Sequence, residues 1–117
     1  MAGYLSTHVL DTSRGLPAKG IRVELYQVDG DQRVLLNSLV TNHDGRTDEQ
    51  LLPEARFFFG SFELVFHTGE YFDSIGEPKD HCRFLDVIPI RFGMFERIHY
   101  HVPLLLSPYA YSTYRGS

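Results

Sequence analysis

Residues 21–41, IRVELYQVDGDQRVLLNSLVT, contain two stretches of alternating residues on either side of a turn. Apolar and polar or aromatic residues alternate from Ile21 to Tyr26, a period of two that is typical of a half-buried β-strand. Asp29-Gly30-Asp31 follows, and its glycine readily adopts the positive φ that a tight hairpin turn needs. A second strand is expected over about residues 33–41, so this stretch predicts a β-hairpin.

The rest of the chain repeats this pattern. Only GEYFDSIG (residues 69–76) favours a short helix, and LLPEA (51–55) favours one turn, which Pro53 limits. Seven or eight short strands with a turn about every ten residues predict an all-β fold, and we expect a two-sheet sandwich. The further strands are expected at residues 4–11, 62–67, 84–90, 97–106 and 109–114.

Length, charge and cysteine content limit the class of protein. The 117 residues predict a single domain over 1–117. The net charge is −4 and there is no basic run, which argues against a nucleic-acid partner. Cys82 is the only cysteine and has no partner for an internal disulfide. No stretch resembles a signal peptide or is long enough to span a membrane, so we expect a cytoplasmic protein with no membrane partner.

Two histidines lie on one predicted strand, in HYHVPLLLSP (99–108). On a strand, His99 and His101 point to the same face, which continues through Pro103 and Leu105. The opposite face is also apolar, and a strand that is apolar on both faces is usually covered on both. A chain of this length holds one core, so we expect the second cover to be another subunit and the histidines to line a groove there. The alternative is a pair of ordinary surface histidines.

His8 and Arg46 are further candidates. His8 belongs to the alternating stretch 4–11 and shares a face with Ser6 and Leu10. Arg46 follows the predicted turn Asn42-His43-Asp44-Gly45, which would hold its guanidinium in a fixed direction. On local evidence alone, a solvated loop arginine is the better interpretation.

The remaining histidines are expected to be exposed. We interpret His67 as solvated at the end of its strand, and we place His43 in a turn and His81 in a polar loop. A three-nitrogen zinc site built from His8, His99 and His101 is compatible with the spacing, but nothing in the sequence demands it.

Three stretches together resemble one family. LSTHVLDTSRGLPA (5–18), TNHDGR (41–46) and HYHVPLLLSPYAYSTYRGS (99–117) are similar to the 5-hydroxyisourate hydrolases, the transthyretin-like enzymes of purine breakdown. Tyr114-Arg115-Gly116-Ser117 and the paired His-Tyr-His distinguish these enzymes from the transthyretins, which share the fold but carry hormone.

The resemblance implies a fold, an assembly and a reaction. The fold is a transthyretin-like (prealbumin-like) sandwich of two four-stranded sheets with one short helix. The assembly is a homotetramer, a dimer of dimers, with the active sites at the dimer–dimer interface. The reaction is hydrolysis of the small molecule 5-hydroxyisourate to 2-oxo-4-hydroxy-4-carboxy-5-ureidoimidazoline, with no cofactor and no metal. A non-catalytic, transthyretin-like carrier of small ligands is the alternative.

The resemblance also implies site residues. The catalytic set is His8, Arg46, His101 and Ser117, while His8, Arg46, His99 and Tyr114 bind substrate. Histidine titrates near neutrality, so His8 or His101 is expected to activate water, with His8 preferred. Arg46 is suited to stabilising the negative charge that develops, and Ser117 is expected to act as an anchor or as a nucleophile.

Overall fold

Two four-stranded β-sheets face each other in the computed structural model of the protein, which describes residues 3–116. Sheet A has the strand order β2-β1-β7-β8, and sheet B has the order β4-β3-β5-β6. The elements in this range are β1 (Tyr4–Asp11), β2 (Leu16–Pro17), β3 (Arg22–Asp29), β4 (Gln32–Val40), a 3-10 turn (Glu54–Arg56), β5 (Gly60–Phe66), α1 (Thr68–Ser74), β6 (Ile88–Met94), β7 (His99–Leu106) and β8 (Tyr111–Thr113).

This architecture confirms the predicted sandwich and its single short helix. The expected hairpin joins β3 to β4, and Gly30 in its turn has a φ of 60°. The core lies between the sheets because alternate residues of each strand point inward. Leu5, Val9 and Leu104 contribute from sheet A and Leu25 from sheet B, all fully buried. No helix in residues 3–116 is long and apolar enough to cross a membrane.

The two strands that carry the candidate histidines are neighbours in sheet A. β1 pairs with β7 in parallel, whereas the other pairings among the described strands are antiparallel. The register places Tyr4 opposite His99, Ser6 opposite His101 and His8 opposite Pro103. The inward residues of both strands are buried, so the outward set forms one continuous face.

One strand begins later than the sequence pattern predicts. The pattern indicated a strand from residue 84, but β6 begins at Ile88. The reason lies at the start of α1, where the carbonyl of Asp86 accepts hydrogen bonds from the Gly69 amide (2.8 Å) and the Thr68 hydroxyl (3.1 Å). The segment before Ile88 is therefore tied to the helix instead of to β5. Pro89 lies on β6, an edge strand of sheet B, where a residue without an amide proton is tolerated.

The turn at residues 42–46 is fixed both internally and against β1. The side-chain oxygen of Asn42 accepts hydrogen bonds from the amides of Asp44 (2.9 Å) and Arg46 (3.2 Å). The Val9 amide of β1 donates to the Gly45 carbonyl at 2.8 Å. Gly45 has a φ of 76°, and a Cβ at this position would overlap with the Val9 carbonyl oxygen. The turn can therefore lie against β1 only because residue 45 is glycine.

We expect Gly45→Ala to destabilise the protein more than Gly76→Ala does. Both glycines have a φ of 76°, so in both variants the alanine must adopt the left-handed conformation, which costs about 1–2 kcal/mol. A Cβ at Gly76 meets nothing within 4 Å, whereas at Gly45 it collides with the backbone of β1. The measurement is the free energy of unfolding from chemical denaturation. Equal losses in the two variants would contradict the proposed docking of the turn.

Candidate functional site

The outward face of sheet A brings the sequence-predicted histidines together. His8 lies on β1, and His99 and His101 lie on β7, and all three side chains are partly buried. The rings of His99 and His101 have centroids 5.8 Å apart. Tyr4 stacks on His99 with a centroid separation of 4.0 Å and an interplanar angle of 10°, which restricts the orientation of that ring.

Ser6 joins the two β7 histidines. Its hydroxyl oxygen lies 2.6 Å from Nε2 of His99 and 2.8 Å from Nδ1 of His101. Both distances are within the range of hydrogen bonds made by a hydroxyl group. The opposed positions of Ser6 and His101 in the parallel register make both contacts reachable from one side chain.

His8 is oriented by the turn that precedes Arg46. Its Nε2 lies 2.9 Å from the carbonyl oxygen of Asp44. A carbonyl oxygen only accepts, so Nε2 must carry the proton. In the neutral ring the lone pair is therefore on Nδ1, which leaves His8 able to take a proton there.

Arg46 lies beside this face at the end of the same turn. It is exposed, and with Ser6 it lines a shallow pocket of about 130 Å³. The remaining lining residues of this pocket are Thr7, Thr47, Asp48, Glu49 and Gln50. None of the three histidines lines this pocket, and its link to them is Ser6, which contacts His99 and His101.

The environment favours neutral histidines. Burial lowers the pKa of His8, and the positive charge of Arg46 lowers it further. Burial also lowers the pKa of His101, with additional contributions from the charges of His99, Arg46 and His8. For His99, burial alone lowers the pKa. All three rings consequently titrate below the ordinary value of about 6.5 and are mainly neutral at pH 7.

The end of the chain contributes one contact to this face. The Gly116 amide donates to the His101 carbonyl at 2.7 Å, which aligns the residues after β8 with β7. A Cβ at Gly116 would lie 2.7 Å from Cδ2 of the His101 ring. Ser117, predicted as catalytic, lies outside the described residues.

Tyr114 is placed differently from the histidines. The residue is 59% exposed and borders a cleft of about 430 Å³ at the open edge of the sandwich, between β6 and the residues after β8. Arg115 lines the same cleft, and its guanidinium carbon lies 5.3 Å from the centroid of Tyr100. Among the described contacts, Tyr114 is not joined to His8, His99 or His101.

Of the other histidines, His67 was predicted to be solvated, and this prediction is wrong. Its side chain is only 15% exposed, and its Nε2 lies 2.6 Å from a carboxylate oxygen of Glu24. Arg22 lies on its other side, with Nη2 3.3 Å from Nδ1. The pairing of β3 with β5 brings these charges to the end of β5, which a single strand pattern does not reveal. His43 and His81 are exposed, as expected.

The donor set at this face does not form a metal centre. Within residues 3–116, no group of three or more His, Cys, Asp or Glu side chains is arranged to hold a metal ion. The facing nitrogens of His99 and His101 both hydrogen-bond to the Ser6 hydroxyl oxygen, which occupies the point between them.

Sequence reasoning missed two residues of this site. Ser6 and Tyr4 were visible only as neighbours of His8 on the same strand face. Their significance depends on the partner strand, because Tyr4 and Ser6 contact His99 and His101, which are more than ninety residues away. A short polar side chain two residues before a strand histidine was the only available signal.

Comparisons with known proteins agree over nearly the whole chain. The HIUase/Transthyretin family matches residues 5–116. The 5-hydroxyisourate hydrolase 2 of Rhizobium meliloti (strain 1021) is 53% identical over 117 residues, covering 99% of this chain and 98% of that protein.

Solved structures give the same result. The structure of Klebsiella pneumoniae 5-hydroxyisourate hydrolase superposes with a TM-score of 0.82 at 36% identity, covering 98% of this chain and 94% of that one. An (S)-allantoin synthase superposes with a TM-score of 0.92 at 44% identity and covers 99% of this chain. This chain spans only 44% of that longer one.

We expect Arg46→Gln to raise the pKa of His8 and of His101, because the substitution removes a positive charge that opposes their protonation. His99 is an internal control, since burial and not Arg46 lowers its pKa. Histidine ring shifts followed by NMR through a pH titration would measure all three midpoints. Arg56→Gln, which removes an exposed arginine from the 3-10 turn, is the matched control. Unchanged midpoints for His8 and His101 in Arg46→Gln would refute the coupling.

Proposed function

Since the chain belongs to the HIUase/Transthyretin family, we propose that it hydrolyses 5-hydroxyisourate at the histidine face of sheet A. The observation that carries the proposal is that His8, His99 and His101 lie on one face of sheet A, where Ser6 contacts His99 and His101 and lines a pocket with Arg46. Near-full-length relatives named 5-hydroxyisourate hydrolase supply the substrate and the reaction class. The chain is accordingly a hydrolase of the purine degradation pathway.

A neutral histidine is the base that this reaction needs. Hydrolysis begins when water loses a proton as its oxygen attacks an acyl carbon of the substrate ring. The lowered pKa values keep His8 and His101 able to accept that proton at pH 7. For His8 the accepting atom is Nδ1, because Nε2 is held by the Asp44 carbonyl. That hydrogen bond also persists when the ring is protonated.

Arg46 stabilises the negative charge that develops on the substrate oxygen after water attacks. A guanidinium cannot act as an acid at neutral pH, but it can bind the oxygen that becomes negative in the tetrahedral intermediate. Its place at the border of the pocket beside Ser6 supports this role. When the ring acyl–nitrogen bond breaks, the nitrogen takes the proton removed from water, and His8 or His101 returns it.

Three further roles rest on the resemblance and remain proposals. Ser117 anchors substrate or water, and Tyr114 and His99 border the bound substrate. The contact of Gly116 with His101 supports a part for the last residues, since it aligns them with the histidine strand.

The assembly is also a proposal. We infer a homotetramer, a dimer of dimers, whose sites lie at the dimer–dimer interface. Support comes from the outward face of sheet A, where the half-buried apolar side chains of Leu10 and Leu105 lie on the same face as the histidines. A second subunit on this face would cover the shallow pocket and exclude water from it.

A carrier of small ligands is the competing function, because the same fold serves both members of this family. A carrier needs shape and apolar surface, but it does not need three neutral histidines near an arginine. The titratable groups therefore favour the hydrolase.

We expect the protein to accelerate the decay of freshly generated 5-hydroxyisourate, followed by ultraviolet absorbance. His8→Asn and His101→Asn should each lower kcat by about 10²–10⁴-fold, the usual contribution of a general acid or base. His43→Asn, at an exposed histidine in the turn, is the control and should retain activity. Decay at the spontaneous rate in the presence of wild-type protein would favour the carrier.

We expect Gly116→Ala to lower kcat by roughly tenfold or more while the fold is retained. The added methyl group would lie 2.7 Å from the His101 ring, so either the ring or the backbone at residue 116 must shift, and small misplacements of catalytic groups are costly. Steady-state kinetics and a thermal melt together measure this effect. Gly76→Ala is the control, because it adds a methyl group in open space far from the site. Full activity in Gly116→Ala would show that the His101 ring position is not critical.

A further inference from the structure

The hydroxyl of Ser6 lies between two histidines and approaches a nitrogen of each. The distances are 2.6 Å to Nε2 of His99 and 2.8 Å to Nδ1 of His101. The same side chain also lines the pocket that Arg46 borders. The roles proposed above for His8, Arg46 and His101 leave this bridge without a function.

Counting protons restricts the states of the bridge. A hydroxyl has one proton, so it can donate to only one of the two ring nitrogens and must accept from the other. If Ser6 donates to His101, then His99 donates through Nε2, and the proton of His101 is on its own Nε2. If Ser6 donates to His99, then His101 donates through Nδ1, and its Nε2 has the lone pair. In both arrangements the two neutral rings share the same tautomer.

We propose that Ser6 is a positioning residue that carries a proton between His101 and His99 during hydrolysis. The relay starts with the lone pair on Nε2 of His101. As water attacks, its proton passes to this nitrogen, the Nδ1 proton of His101 passes to Ser6, and the Ser6 proton passes to Nε2 of His99. Hydroxide is thereby added to the acyl carbon, and the positive charge is on His99.

The relay then reverses and the proton balance closes. His101 is now neutral with a proton on Nε2, so it is an acid that can protonate the departing ring nitrogen. As it does so, His99 returns its proton to Ser6, and Ser6 returns its own to Nδ1 of His101. The enzyme is restored, and one water molecule has been consumed.

The surroundings favour placing the charge on His99. Its ring is stacked on Tyr4 at 4.0 Å, and an aromatic face stabilises an adjacent cation. His101 instead lies near the permanent charge of Arg46, which disfavours an imidazolium there, whereas burial alone lowers the pKa of His99. Moving the proton two residues along β7 therefore separates it from the guanidinium that stabilises the intermediate.

This inference rests on the proposed hydrolysis for its function, but the bridge itself can be tested without substrate. Nitrogen-15 NMR of the ring nitrogens, at a pH where the histidines are neutral, gives the tautomer of each ring. We expect His99 and His101 to have equal fractions of the Nε2–H tautomer in the wild type, and unequal fractions in Ser6→Ala. Opposite tautomers in the wild type would overturn the proposal.

The kinetic test uses Ser6→Ala and Ser6→Thr. We expect Ser6→Ala to lower kcat by about tenfold or more with little change in KM, and Ser6→Thr, which keeps a hydroxyl, to retain most of the rate. Measuring kcat in mixtures of H2O and D2O should give a curved dependence for the wild type, because several protons move together, and a straight line for Ser6→Ala. Ser61→Ala, an exposed serine on β5, is the control.

The outcomes separate the two proposals. A wild-type rate in Ser6→Ala would overturn the relay while leaving the hydrolase intact. No hydrolysis by the wild type would overturn the proposed function, and the tautomer measurement would still decide whether the bridge exists.

Discussion

Hydrogen bonds between β1 and β7 set a parallel register in which Tyr4 lies opposite His99 and Ser6 lies opposite His101. The site depends on this register because side chains alternate between the two faces of a strand. A slip of one residue would turn the polar residues of β1 into the core and expose Leu5 and Val9, which are fully buried. Core packing therefore also fixes the geometry of the histidine cluster.

The electrostatic character of the site is local. The chain as a whole carries a net charge of −4, which would by itself favour protonation of a histidine. Burial and the charge of Arg46 act in the opposite direction at His8, and they dominate because they act at short range. The turn at residues 42–46 supplies both the guanidinium and the carbonyl that orients His8. One short loop thus orients this ring, fixes its tautomer and adds to the lowering of its pKa by burial.

Alternation along single strands made much of the fold predictable. The stretch 4–11 coincides with β1, and the hairpin turn at Gly30 is where glycine chemistry places it. Pairings between distant strands were not predictable, because the alternation of apolar and polar residues within one strand does not identify the strand that pairs with it. The bridge through Ser6 and the burial of His67 beside Glu24 were missed for this reason. The start of β6 was predicted too early because residues 84–90 alternate like a strand. In the structure, the Asp86 carbonyl accepts a hydrogen bond from the helix instead of pairing with β5.

The contact between Ser6 and His99 joins residues 93 positions apart in the chain. Such a contact closes a very large loop, and the entropy lost in closing that loop is offset only once the intervening strands have packed. The site is consequently among the last parts of the molecule to assemble, and no fragment that lacks β7 can form it. Turnover would therefore report completed folding of the sandwich, so a refolding experiment followed by activity should lag behind one followed by secondary structure.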